Sequence, residues 1–88
     1  MPSSNDLTTL WDIAPNASCL VSGFDAHLPE PYRVRLMEFG FHPGELVECL
    51  LAPQFGAPRV YRVSDTVYSL DRDIATLVHV SPAAGVSS

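Results

Sequence analysis

The sequence contains no lysine. Its five basic residues are Arg33, Arg35, Arg59, Arg62 and Arg72, set against ten carboxylates for a formal net charge of −5. Nucleic-acid binding draws most of its affinity from cationic side chains on phosphates, so an acidic chain with scattered arginines is poorly equipped for it. Anionic membrane surfaces are disfavoured for the same reason. Long apolar runs are missing too. None approaches the ~20 residues that a membrane span needs, which argues against direct membrane insertion. The polar start of the chain lacks the basic region and apolar core of a signal peptide, and a cytoplasmic location is expected. Cysteine is scarce: Cys19 and Cys49 stand 30 positions apart with no CxxC pattern. In a reducing compartment such thiols default to small buried hydrophobes, with a metal or redox role as the alternative.

Catalytic motifs are absent as well. There is no P-loop and no GxGxxG. Ser18, Ser22, Cys19 and Cys49 are nucleophile types, but none sits in a nucleophile elbow or a cysteine-enzyme context. The expectation is a protein that binds a partner and is not an enzyme.

What is present is a globular composition. Of the 88 residues, 47% are hydrophobic, enough for one small domain. Residues 1–6 and 82–88 read as tails around a domain spanning 7–81. Leu7, Leu10 and Ile13 are spaced three apart, which predicts about one helical turn with Asp6 as cap and Pro15 as stop. Cys19–Phe24 alternates as a strand, with Cys19, Val21 and Gly23 on one face. Asp25–Leu28 reads as a loop.

Pro29–Phe39 reads as a helix. Pro31 suits its first position, and Tyr32, Leu36 and Phe39 form an apolar stripe. Gly40 is placed to end it in the left-handed conformation, with Phe41 reaching back to Leu36. Pro43 and Gly44 then have the order of a type II turn. Glu45–Ala52 reads as a second strand with Val47, Cys49 and Leu51 inward. Arg59–Ser64 and Val67–Leu70 read as a hairpin around Asp65 and Thr66. A helical turn at Asp71–Ala75 and a last strand at Thr76–Val80, with Val78 and Val80 inward, complete the pattern. The sum is mainly β: about five short strands and one α-helix between the first two, as expected of a small barrel.

The run Arg35-Leu36-Met37-Glu38-Phe39-Gly40-Phe41-His42-Pro43-Gly44 resembles the R-L-x-E-L-G-[LF]-x-P-G signature of the FeoA (ferrous iron transport protein A) family. Residues 52–58 resemble that family's A-P-x-G-D-P loop. Tyr68-Ser69-Leu70, with Ala75 and Val78-x-Val80 after it, resembles its closing pattern. The similarity runs from about Leu10 to Val80. The loop at 52–58 is one residue longer than the pattern, Ala57 stands where Asp is usual, Asp65 where Gly is frequent, and Asp71 where a basic residue is frequent. The resemblance implies an SH3-like β-barrel. It also implies an accessory or regulatory role in ferrous iron uptake, through protein–protein contact with a FeoB-type permease and its G domain. A generic SH3-like peptide-binding adaptor is the alternative.

Candidate site residues follow from residue type and place. Gly40, Pro43 and Gly44 are assigned to turn geometry. Arg35 either pairs with Glu38 or presents its charge to a partner, and Arg59 is a second candidate contact. Trp11, Phe24 and Phe55 either form a peptide groove or cover the core; Phe55, between Pro53 and Gly56, is the groove candidate of the three. His27, His42 and His79 are candidate transition-metal ligands. They show no knuckle spacing; no cofactor is required, and the candidate arrangement is a surface site for Fe²⁺ or Zn²⁺, on one chain or shared between two in a metal-mediated homodimer.

Overall fold

The computed structural model describes residues 8–82. The expected tails and the Asp6 and Leu7 contributions to the first turn lie outside the described residues, apart from the first residue of the C-terminal tail, Pro82. Six strands form one antiparallel sheet in the order β1-β6-β2-β3-β4-β5. They are β1 (Thr8–Thr9), β2 (Ser18–Phe24), β3 (Leu46–Leu51), β4 (Arg59–Val63), β5 (Thr66–Leu70) and β6 (Val78–Pro82). Helix α1 (Glu30–Phe39) joins β2 to β3, and the short α2 (Arg72–Ala75) joins β5 to β6.

The expected five-stranded barrel differs from the structure in strand number and in closure. Against the expected five, the described residues form six strands, because Thr8 and Thr9 pair with Val80 and His79, a pairing two residues long and too short for any alternation signal. The sheet is also open, since β1 and β5 stand at opposite ends of the strand order without pairing to each other. It nonetheless curls. Tyr61 Oη on β4 donates 2.9 Å to the carbonyl of Leu10, just past β1. Side chains, not a backbone ladder, span the mouth.

The turn after β1 is a 3₁₀ turn, Leu10–Asp12, capped by Thr9 in place of Asp6. Asp12 Oδ2 accepts from the Thr9 backbone N–H at 3.0 Å and from its hydroxyl at 3.1 Å. Strand β2 buries Cys19 and Val21, but the register with β6 slips between Val21 and Gly23. Strand β3 buries Val47 and Cys49; a second slip between Cys49 and Leu51 turns Leu51 out to 59% exposure, against expectation. A bulge shifts every later side chain to the other face.

Helix α1 begins at Glu30, so Pro31 takes its second position. Leu36 is buried and Phe39 packs against the core, while Tyr32 is exposed and falls outside the stripe. The helix ends as its sequence predicts. Gly40 has φ +114°, and the Phe41 N–H donates to the Leu36 carbonyl at 3.0 Å, the six-to-one bond of a Schellman ending. Phe39 stacks on Tyr68 of β5 with ring centroids 4.4 Å apart. Gly44 has φ +92°, and the Glu45 N–H donates to the His42 carbonyl at 2.9 Å, which closes the type II turn. In the β4–β5 hairpin Val63 faces Thr66. The turn is therefore Ser64-Asp65, one residue earlier than expected, with φ of +51° and +65°.

Candidate functional site

Candidate residues separate into three places. The first is the mouth of the curled sheet. Arg59 enters β4 and its guanidinium lies 4.4 Å from the centroid of the Trp11 ring. Nη1 donates to the carbonyl of Trp11 and, at 3.4 Å, to that of Ile13. These carbonyls end a 3₁₀ turn, where acceptors lack helical partners, so a fixed cation there satisfies them. The residue offered as a partner contact is thus bound internally. Its Nε is buried and has no hydrogen-bond partner among the described residues. Trp11 and Phe24 pack against the core, as covering side chains do.

The second place is exposed surface, where Phe55 differs from both Trp11 and Phe24. It is 99% exposed and sits at φ +64° in the loop between β3 and β4. A bulky residue rarely adopts positive φ, so the loop backbone carries a conformational cost at a position that leaves the ring in solvent. Arg35 is exposed on α1 and makes no ion pair among the described residues. Its neighbour Arg33 pairs with Glu30 instead.

The third place is the Asp25–Leu28 loop. Asp25 Oδ1 lies 2.7 Å from His27 Nδ1, and Oδ2 lies 3.2 Å from His79 Nε2 on β6. Oδ1 also accepts from the His27 backbone N–H at 2.9 Å. That backbone bond, then the His27 side chain, hold the Asp25 carboxyl below its usual range. Two of the three candidate histidines therefore meet, although they are separated by 52 positions in the chain. They meet on a carboxylate, each on a different oxygen, and do not converge on a common point. Among the described residues no group of three or more His, Cys, Asp or Glu side chains is arranged to hold a metal. His42, exposed at the turn before β3, joins no hydrogen bond in this cluster.

The cysteines belong to the core. Both are free and fully buried. Burial, then the nearby Cys49, pushes the Cys19 thiol up to about 11, and burial likewise raises Cys49. Thiols held protonated are poor nucleophiles and poor ligands.

Sequence reasoning missed Asp25, Tyr61 and the Trp11–Arg59 contact. An Asp two residues before a loop His is a turn signal that could have drawn attention to Asp25. Nothing local links Asp25 to His79, or Arg59 to Trp11.

The FeoA domain model matches residues 8–82. A search of curated proteins finds no match. Among solved structures, the zinc complex of Stenotrophomonas maltophilia FeoA, described as a prokaryotic SH3 domain protein, is 30% identical. It superposes with a TM-score of 0.75 over 84% of this chain and 89% of that one. Iron(II) transport protein A from Clostridium thermocellum is 23% identical, with a TM-score of 0.78 over 89% of this chain; the match spans 47% of that protein's length. FeoA protein from Chlorobium tepidum, 21% identical, gives a TM-score of 0.80 over 92% of this chain and 75% of that one. The last two show the fold, and no helix among the described residues is long and apolar enough to cross a membrane.

Proposed function

This chain belongs to the FeoA domain family, and from that premise we propose that it is an accessory protein of ferrous iron uptake, working in the cytoplasm through contact with a FeoB-type permease and its G domain. The observation that carries the pathway is the family match, which extends over every described residue. The S. maltophilia relative is described as a candidate ferrous iron transport activating factor. Action by binding, without catalysis, agrees with the raised pKa values of the two buried thiols. Phe55 is the apolar anchor and Arg35 a charged contact. Exposed aromatic rings dominate binding energy when they fill a partner's pocket.

Iron is the cargo of the permease in this reading. The histidines are left with a surface ion shared between two chains through His27, whose side chain is 89% exposed. Calorimetric titration with Zn²⁺ and sedimentation of the same samples test that site; binding without dimerisation removes it.

Capture of the permease's cytosolic region by immobilised protein tests the main proposal. Capture is expected, with at least tenfold loss for Phe55→Ala and an unchanged melting temperature, because the ring touches little of its own fold. No capture, with unaltered iron uptake in a deletion strain, overturns it. The adaptor alternative predicts saturable binding of Pro-rich peptides, also lost in Phe55→Ala, with no capture of the permease.

A further inference from the structure

Strand β5 ends the sheet and pairs with β4 alone. Ser64 and Asp65, both at positive φ, form the two-residue turn that makes Val63 and Thr66 a hydrogen-bonded pair. Antiparallel ladders alternate, so Tyr68 and Leu70 also bond to β4, while the N–H and C=O groups of Val67 and Ser69 point away from it. Among the described residues neither forms a backbone bond to another segment.

Exposed edges of this kind are normally blunted by charge, proline, a bulge or a covering segment. Thr66-Val67-Tyr68-Ser69-Leu70 carries no charge and no proline, and its register with β4 runs without a shift. Val67 is 53% exposed. The other edge, β1, is two residues long and runs straight into the 3₁₀ turn.

We propose that the β5 edge takes up an extended segment of a partner polypeptide, β-branched in its middle and basic at both ends, as an added strand. This deepens the reading above and rests on it for the partner being a protein. Charge selects the occupant. Asp65 and Asp71 bracket the strand, about 20 Å apart at about 3.3 Å per residue. Beyond Asp71, Arg72 is followed by Asp73. At the Asp65 end an open cleft of about 200 Å³ is lined by Glu45, Leu46, Glu48, Arg62, Ser64 and Asp65. That cleft lies on the β3 side of β4, where Arg62 is engaged by Glu48 at 3.4 Å, so Asp65 is the carboxylate at this end that a strand added to β5 reaches. A second copy of the chain is a poor occupant. Pairing Val67 with Ser69 of the other copy sets Asp65 opposite Asp71 at both ends, and like charges directly opposite are destabilising.

The test is NMR titration of the full chain with a synthetic peptide of alternating Thr and Val capped by Lys at both ends. Saturable shifts are expected at Val67 and Ser69, with slowed amide exchange there. A Glu-capped peptide is expected to bind at least tenfold more weakly. Val67→Pro removes an outward N–H and no ladder bond, so the fold tolerates it and binding is lost. The double variant Asp65→Asn with Asp71→Asn keeps the edge intact and is expected to weaken the Lys-capped peptide about fivefold. Four outcomes overturn the proposal: shifts confined to another surface, equal binding of the Glu-capped peptide, slow exchange at Val67 and Ser69 in the free chain, or concentration-dependent pairing of the edge without peptide. Failure here with permease capture intact removes the edge alone. Peptide binding without permease capture removes the permease.

Discussion

Asp25 shows how much one carboxylate organises at the residue scale. It ties an exposed loop histidine and a strand histidine into one cluster. The sequence flagged His27 and His79 as ligand types; it had no means to show that both are already occupied by the same side chain. A carboxyl whose folded pKa lies below its unfolded value stabilises the fold above the ordinary carboxylate range. That contribution disappears as pH falls through the folded pKa. Asp25→Asn is therefore expected to lower the melting temperature at pH 7. The difference from the unaltered protein should fade as pH falls below the ordinary carboxylate value. Melts of both proteins across that range decide it, and a difference that stays constant with pH removes the carboxylate's role. Phe55 was more legible. Its position between loop breakers marked it as either exposed or covering the core, and full exposure settles which. Arg59 was offered as a partner contact, because a strand-initial arginine carries no local sign of the Trp11 ring it meets.

At the scale of elements, the ending of α1 was the clearest feature of the sequence. A left-handed glycine, a Schellman bond and a Pro-Gly turn each depend on local residues, and all three occur where expected. The structure adds a second constraint on Gly40. A Cβ there would lie 2.9 Å from Ser64 Oγ in the β4–β5 hairpin. Gly40→Val is thus opposed both by its positive φ and by the hairpin packed against it. It is expected to destabilise the fold by more than about 1 kcal/mol, measured by denaturant unfolding. An unchanged midpoint would mean that α1 ends elsewhere. Strands were less legible than the helix. Leu51 was assigned inward by strict alternation, and the slip after Cys49 defeats that rule. Bulges leave no dependable mark in a single sequence, because the extra residue satisfies the same polar and apolar pattern on either side.

At the scale of the whole molecule, the sheet stays open and its curl is held by side chains. Tyr61 is fully buried and spends its hydroxyl on the Leu10 carbonyl; burial is the first cause that raises its pKa. Tyr61→Phe keeps the ring and removes one of the two hydrogen bonds to the Leu10 carbonyl, which still accepts from the Ile13 N–H at 3.2 Å, a loss of about 0.5–1.5 kcal/mol. Chemical denaturation should show that loss, together with faster amide exchange at Leu10 to Ile13. Unaltered stability would assign the curl to the Arg59 contact alone.

Composition, turn residues and strand alternation by themselves determined that this chain folds as a small β-rich unit with one helix stopped at Gly40. Those signals are local, set by φ preferences and by the two- and 3.6-residue periods. Pairing of the two-residue β1, the open ends of the sheet, the seating of Arg59 on Trp11 and the gathering of His27 and His79 on Asp25 belong to tertiary structure. Each joins segments tens of residues apart, and the energy that selects them comes from side-chain contacts that exist only once the sheet has curled.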